Sequence, residues 1–217
     1  MTTFLLGTGP SLNTFNWSSI SDEDHICAVN GAGMRSARMD SMVFADQPRR
    51  LLVQYGEDRM RELLTSPGVV RVAPDNRRDV MPNWIAGMEF VERNAGPTPD
   101  RECKRKGRHA FDGQLPLFWT DGLSCSFALC WLVYKGHRDI VFVGHDMLPG
   151  NTARHFYADD GGQRLSVALE RQFRTITELW PLSLQHGITL RAAAPSRLLE
   201  IMPLWEPTHA PREPAST

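Results

Sequence analysis

The sequence predicts an α/β fold in which helices flank a mostly parallel sheet within a single domain. Short apolar runs recur along the chain and stop at glycine or polar residues, as buried strands followed by turns do. Stretches with helical periodicity separate several of these runs. One almost wholly apolar helical stretch leads through a short turn into the clearest strand, which is typical of a right-handed crossover unit. The expected architecture is therefore Rossmann-like.

The predicted strands of the first half are apolar runs over residues 4–6, 25–30, 41–45 and 69–73. The first three end at Gly7, Asn30 and Asp46. Residues 49–64 carry apolar side chains at helical spacing, and the preceding Pro48 suits a first helical turn. Ligands of open α/β sheets lie beyond the carboxyl ends of the strands. The three strand ends therefore predict a pocket built from the early loops.

The second half adds predicted strands over residues 84–91, 139–144 and 188–192, and predicted helices over residues 120–135 and 163–184. Thr120 or Asp121 can cap the first of these helices, and Gly136 stops it. Because the body of that helix is almost wholly apolar, we expect it to be buried against the sheet.

Length and composition fit one domain of ordinary globular character. The chain has 217 residues, of which 41% are hydrophobic and 23% are charged. A net charge of -1 gives no overall attraction to nucleic acid or to an anionic membrane. Residues 1–203 are predicted to form the domain, and the proline-rich residues 204–217 are predicted to form a flexible tail.

The expected location is the cytoplasm, without stable insertion into a membrane. The N-terminus lacks the features of a signal peptide, and no apolar run approaches the roughly 18 residues of a transmembrane helix. The four cysteines form neither a CxxC pair nor a metal-binding pattern, which favours reduced thiols. The sequence leaves the oligomeric state open.

The glycine-rich opening loop, residues 7–11 after the first strand, is a candidate phosphate site. In such a turn the backbone N–H groups can point outward together and bind an anion. A plain connection between strand and loop is the alternative. The dense basic cluster of the sequence is the run over residues 101–108, which includes Lys104, Arg105 and Lys106 and is followed by His109. It is either a solvated surface loop or a loop that contacts phosphate groups, including those of a nucleic acid.

Three stretches, taken in this order, carry a resemblance: Leu-Gly-Thr-Gly-Pro-Ser-Leu12, the strand that ends at Asn30, and Thr120-Asp-Gly with its apolar helix and Val-Phe-Val-Gly-His-Asp-Met147. Together they resemble the bacterial lipooligosaccharide sialyltransferases and related Rossmann-like proteins. Archaeal-type 6-hydroxymethylpterin diphosphokinases are included as more distant relatives. The resemblance extends over roughly residues 4–203.

This resemblance implies a set of donor-binding residues. In the family the opening loop holds the phosphate of a CMP-sugar, and the asparagine after the second strand contacts the nucleotide. The residues assigned in this way are Gly7, Thr8, Gly9, Pro10, Ser11, Asn30, Thr120, Asp121 and Gly122. Two positions depart from the pattern, because Thr8 replaces an asparagine and Asp121 replaces a serine. A carboxylate there would repel a phosphate, so Asp121 instead caps its helix, faces a sugar hydroxyl or holds a metal ion.

The later part of the resemblance implies the catalytic residues, and it adds Gly144 and Tyr157 to the donor-binding set. Gly144-His-Asp-Met147 matches a Gly-Ile-Asp-Phe strand end, with Asp146 as its acidic residue. His155 and Tyr157 lie where the family has a catalytic histidine and tyrosines before the long helix. Glycosyl transfer needs a general base for the acceptor hydroxyl, and an imidazole suits that role. His155 is the expected base, and His145 is the rival.

Metal-independent catalysis is the expected mechanism, because no Asp-x-Asp follows a strand end. Arg49, Arg50, Arg154 and the basic run are then candidates to stabilise the leaving phosphate. Asp46 and Asp146 could contact a ribose or bind Mg²⁺. Neither a P-loop nor a GxSxG motif is present, so a P-loop kinase and an α/β-hydrolase are not indicated.

The sequence thus predicts a glycosyltransferase that uses a nucleotide sugar as co-substrate and requires no other cofactor. The predicted acceptor is a hydroxyl, either on a glycan or on a hydroxymethylated base in phage DNA, in which case the chain would be phage-encoded. One alternative is a Mg²⁺-dependent diphosphokinase that acts on a small alcohol, with Asp46, Asp121 and Asp146 as metal ligands. A non-catalytic nucleotide-binding module is the other.

Overall fold

A seven-stranded parallel sheet forms the centre of the structure, which is a computed structural model. The structure describes residues 1–44, 46, 51–53, 56–91, 124–148 and 164–207, apart from the side chains of residues 76 and 164–168. The strands are β1 (Thr3–Leu6), β2 (His25–Val29), β3 (Ser41–Val43), β4 (Val70–Pro74), β5 (Met88–Val91), β6 (Asp139–Val143) and β7 (Thr189–Ala192). Each predicted strand corresponds to one of these strands, although the one predicted over residues 84–91 begins only at Met88. The predicted α/β class is correct.

The order of the strands places β1 at a switch in direction. The sheet runs β5-β4-β3-β2-β1-β6-β7, so the chain steps outward from β1 to β5 and then returns to the other side of β1. Leu6 at the end of β1 lies in register with Ala28 of β2 and with Val143 of β6. Loops that leave adjacent strands in opposite directions open a crevice at such a point, where ligands of this fold class bind.

The long α-helices of the described residues are α1 (Glu57–Thr65), α2 (Ser124–Tyr134) and α3 (Arg164–Gln185). The prediction of a buried apolar helix is confirmed, because every side chain of α2 from Cys125 to Val133 is buried. The prediction of one continuous helix over residues 49–64 is wrong. Gly56 has φ 86°, a conformation that interrupts a helix, so a helical segment at residues 51–53 is separate from α1.

Both faces of the sheet are covered, which explains why the central strands β1, β2 and β6 are largely unbroken apolar runs. Successive side chains of a strand point to opposite faces. Leu5 therefore packs in the cluster that contains α2 and part of α3, whereas Phe4 and Leu6 pack on the opposite face. The described cysteines, Cys27, Cys125 and Cys130, are buried and unpaired.

The tail predicted for residues 204–217 begins with two residues that contact the sheet. Leu204 bridges to Ala192 of β7, and the Trp205 N–H donates to the Ala192 carbonyl at 2.9 Å. The Trp205 side chain is 9% exposed and packs edge-on against Phe4, with ring centroids 5.1 Å apart. Residues 204–205 belong to the folded domain because this indole covers one face of β1; residues 208–217 lie outside the described part.

No helix among the described residues combines the length and the apolar character that a membrane span needs.

Candidate functional site

The loops that follow β1 and β6 lie against each other at the switch in the sheet. The Gly7 N–H donates to the Val143 carbonyl at 2.7 Å, and the Gly9 N–H donates to the Gly144 carbonyl at 2.7 Å. The next alternate amide, that of Ser11, donates to Oδ2 of Asp146 at 2.9 Å. The pairing of β1 with β6 therefore continues beyond the sheet and holds the two loops together.

Glycine is required here because the two backbones approach closely. A Cβ added at Gly7 would lie 2.5 Å from the Gly144 carbonyl oxygen, and one added at Gly9 would lie 2.6 Å from the same atom. Gly144 itself has φ 69°, which side chains rarely adopt. The glycine pattern of the opening loop thus marks backbone contact with β6.

The hydrogen bonds correct one expectation for this loop. The sequence suggested amides that point outward together, but the N–H groups of Gly7, Gly9 and Ser11 donate to the end of β6 and to the loop that follows it. These three donors are used inside the protein, since the loop continues the pairing of the strand before it. Binding of a phosphate by the loop stays a prediction.

His145 lies beneath the opening loop. Its side chain is buried, with 5% of the residue exposed, and its ring packs edge-on against Phe142 at 5.3 Å. Nδ1 lies 3.3 Å from Nε2 of Gln172 in α3, and Nε2 has no hydrogen-bond partner among the described residues. Desolvation lowers the pKa of His145 to about 4, and the Leu5 carbonyl opposes this shift. The ring is therefore neutral near pH 7, and its burial shields it from an acceptor substrate. These properties suit a role in packing better than a role in proton transfer.

Asp146 follows His145 and is equally buried, with 5% exposed. Its carboxylate accepts hydrogen bonds from both the N–H and the hydroxyl of Ser11. Burial raises the pKa of Asp146, and the hydrogen bonds from Ser11 act in the opposite direction. The carboxylate thus points into the opening loop.

Asn30 and Asp46 meet on the other side of β1, as the strand ends predicted. Nδ2 of Asn30 donates to Oδ2 of Asp46 at 2.8 Å. Ser124, the first residue of α2, contacts both side chains, with its hydroxyl 3.4 Å from Asp46 Oδ2 and 3.5 Å from Asn30 Nδ2. Oδ1 of Asn30 is buried and has no partner among the described residues. It is an acceptor available for the N–H or O–H group of a ligand.

The backbone around the crevice is unusual at two points. Asn30 has φ 52° and Met147 has φ 50°, and they are the only described non-glycine residues with positive φ. Each follows a strand end within a few residues, one after β2 and one after β6. Such conformations persist where surrounding contacts impose them, and they cluster at functional sites.

Ser124 and Gln172 were not singled out in the sequence. Ser124 lies two residues after the Thr120-Asp-Gly122 motif, which was the available signal. Gln172 lies within a long helix, where nothing in the local pattern distinguishes it from a surface residue.

Many predicted site residues lie outside the described part of the chain: Arg49, Arg50, Lys104, Arg105, Lys106, Thr120, Asp121, Gly122, Arg154, His155 and Tyr157. Their roles stay predictions. Within the described ranges, no three or more His, Cys, Asp or Glu side chains are grouped in a way that could hold a metal ion.

Solved structures of sialyltransferases share this fold, whereas no protein-family model and no curated protein sequence matches the chain. CstII from Campylobacter jejuni in complex with CMP is 12% identical, with a TM-score of 0.58 over 96% of this chain and 86% of that one. CST-II with a trisaccharide acceptor and CMP is 14% identical, with a TM-score of 0.58 over 97% and 88%. The alpha-2,3-sialyltransferase Cst-I from Campylobacter jejuni is 15% identical, with a TM-score of 0.52 over 94% and 79%. The predicted resemblance is thus confirmed for the fold, while the relation to diphosphokinases stays a prediction.

Proposed function

We propose that this chain is a glycosyltransferase that moves a sugar from a nucleotide-sugar donor to a hydroxyl acceptor. The observation that carries the proposal is the joining of Asn30, Asp46 and Ser124 at the strand ends beside the switch at β1. Two of the solved sialyltransferases of the same fold hold CMP, and one of these also holds a trisaccharide acceptor. A crevice with a buried Asn30 oxygen that has no partner among the described residues suits a nucleotide, which carries N–H and O–H donors.

The described residues fit the nucleotide part of such a donor. Asn30 Oδ1 accepts a hydrogen bond from the base or the ribose, and Asp46 holds the Asn30 amide in that orientation. The loop of Gly7–Ser11 closes the crevice next to the donor. His155 remains the proposed general base, and the arginines outside the described part remain the proposed partners of the leaving phosphate.

For the acceptor, we propose a glycan. The trisaccharide bound to CST-II is the support for this choice. A hydroxymethylated base in DNA is the competing acceptor, and the basic run over residues 101–108 is its support in the sequence. The two acceptors differ in their response to salt, because binding of a DNA backbone weakens steeply as ionic strength rises.

Turnover of activated donors tests the proposal. The protein is incubated with CMP-, UDP- and GDP-sugars and with a glycan acceptor, with and without EDTA, and release of the nucleotide is measured. We expect release from at least one donor, and we expect it to survive chelation. Release of AMP from ATP that strictly requires Mg²⁺, without turnover of any nucleotide sugar, would favour the diphosphokinase instead.

Substitution of Asn30 provides a sharper test of the nucleotide site. Both N30A and N30G remove the side chain that bonds to Asp46. Only alanine is strained at φ 52°, since glycine adopts this conformation freely. We expect both variants to lose about tenfold or more in nucleotide affinity, the effect of about 1.5 kcal/mol in lost hydrogen bonding. We expect N30A to be less stable than N30G by about 1 kcal/mol.

Titration with CMP, UMP, GMP and AMP measures the affinities, and denaturation in urea measures the stabilities. If N30G binds as tightly as the unaltered protein, the Asn30 side chain has no part in binding. If N30A and N30G are equally stable, the backbone at residue 30 is not constrained as the structure indicates.

A further inference from the structure

Both carboxylate oxygens of Asp146 accept hydrogen bonds from a single residue of the opening loop. Oδ2 accepts the N–H of Ser11 at 2.9 Å, and Oδ1 accepts its hydroxyl. The residue is 5% exposed. No described Lys, Arg or His forms an ion pair with it. All described hydrogen bonds of this carboxylate thus come from the opening loop.

The backbone of Asp146 is fixed from the opposite side. Its carbonyl accepts the Arg197 N–H at 2.8 Å, and the neighbouring His145 carbonyl accepts the Ser196 hydroxyl at 2.6 Å. Both donors belong to the segment after β7. The backbone that carries this carboxylate is therefore held in place by hydrogen bonds that do not involve the opening loop.

The carboxylate also replaces a missing backbone acceptor. The amides of Gly7 and Gly9 donate to carbonyl oxygens of the β6 segment, but the third alternate amide, that of Ser11, donates to a side chain. The positive φ of Gly144 turns the backbone after β6 away from ordinary pairing. Asp146 thus extends the contact between the loops by one more step.

We propose that Asp146 is a positioning residue that acts through Ser11 and sets the shape of the loop Gly7–Ser11, which closes the donor site. This inference rests on the proposed function for its effect on the donor, and it assigns Asp146 no role as acid, base or metal ligand. It also determines which hydrogen bonds Ser11 can form with a ligand. While Asp146 is ionised, the hydroxyl hydrogen of Ser11 is engaged, so Ser11 can only accept hydrogen bonds from a ligand. A hydroxyl group of the nucleotide sugar suits Ser11 because it can donate a hydrogen bond. A phosphate oxygen does not, because it can only accept one.

The variants D146A, D146N and S11A test the assignment. D146A removes both bonds to Ser11, and S11A removes only the bond to the hydroxyl. D146N can keep both, because its amide oxygen accepts the Ser11 N–H and its NH₂ group donates to the Ser11 oxygen. An acid, a base or a metal ligand would not be replaced in this way. D139A is the control, since Asp139 lies at the other end of β6 and pairs with Arg191.

With the donor that the unaltered protein turns over, we expect D146A to raise KM about tenfold or more, as the loss of hydrogen bonds to a charged group does. We expect S11A to raise KM less, D146N to stay within about threefold, and D139A to leave KM unchanged. The double variant S11A/D146A should be no worse than D146A, because the two residues act as a pair. A fall in kcat that is equally large in D146N and D146A would overturn the assignment.

Hydrogen exchange of the Ser11 amide provides a readout that needs no ligand. We expect faster exchange in D146A than in the unaltered protein, and no change in D139A. If exchange at Ser11 does not change in D146A, the positioning role is wrong. If exchange responds as expected but the unaltered protein neither binds nor turns over any nucleotide sugar, the proposed function fails while the contact between the loops stands. If D146A fails to fold, S11A and D146N still decide the outcome through their KM values.

Discussion

Replacement of Gly9 with alanine is expected to abolish most of the proposed nucleotide binding and to destabilise the fold. Gly9 has φ -66° and ψ 156°, which alanine adopts without strain, so the expected effect comes from space alone. The new Cβ would lie 2.6 Å from the Gly144 carbonyl oxygen and 2.8 Å from Cγ of Asp146. Because one neighbour is backbone and the other is held by Ser11, neither can move without separating the loops. Overpacking of this kind costs about 1–3 kcal/mol in the free energy of unfolding.

Urea denaturation and titration with nucleotides measure the two effects of G9A. G187A is the matched control. Gly187 lies before β7, and a Cβ there meets nothing within 4 Å. Its φ of 66° makes alanine unfavourable by about 1 kcal/mol, so G187A should lose stability without losing nucleotide affinity. Equal affinity in G9A and the unaltered protein would show that the close approach of the loops is not needed for binding.

The second large effect is a loss of stability in mild acid, between about pH 6.5 and pH 4. Burial lowers the pKa of His137 and of His145 to about 4 in each case, and it lowers the pKa of His25 as well. The unfolded chain binds protons at these positions near pH 6.5, whereas the folded chain does not. The stabilisation is therefore fully present above pH 6.5 and is lost as the pH falls towards 4. For buried His145, the loss is on the order of 3 kcal/mol.

Two of these histidines form a pair at the amino ends of the strands, far from the candidate site. The rings of His25 and His137 lie 4.5 Å apart between centroids. His137 Nδ1 lies 2.7 Å from the Thr3 hydroxyl, and His25 Nε2 lies 2.9 Å from the Ser41 hydroxyl. Protonation of both rings would place like charges in contact. The raised pKa of Asp146 acts in the opposite sense, but it is one group against three.

Denaturation in urea at several pH values from 7.5 to 4.5 measures this loss. H137Q should lower the number of protons taken up on unfolding by up to about one, and the free energy of unfolding should then depend less steeply on pH. H186Q is the comparison, because His186 is exposed at the end of α3. A slope that is the same in H137Q and the unaltered protein would contradict the assignment of His137.

The central strands could be predicted from the sequence because β1, β2, β3 and β6 are short, largely apolar runs that are almost wholly buried, and burial of this kind is visible in local composition. The meeting of Asn30 and Asp46 was predictable for a related reason. Both follow adjacent parallel strands, and the ends of such strands lie at one edge of the sheet. The amphipathic pattern of α3 likewise predicted its length, although Pro181 lies within it.

Other features depended on contacts between distant parts of the chain. The sequence marked Gly7 and Gly9 as turn glycines, but their use as points of close approach depends on the β6 loop, which follows more than a hundred residues later. Asp146 was predicted to meet a ligand, yet its carboxylate meets Ser11, and the polar character of an aspartate does not distinguish the two. Trp205 looked like the start of a tail because its partner, Phe4, is at the other end of the chain.

The sequence by itself thus determined the class of the fold, the order of its strands along the chain and the strand ends that carry polar residues. These depend on hydrophobic periodicity and on turn residues, which act over a few neighbouring positions. Only the tertiary structure decided which strand lies beside which, and therefore which polar groups satisfy one another. Hydrogen bonds such as that from the Ser11 N–H to Asp146 join residues that are close only after the chain has folded.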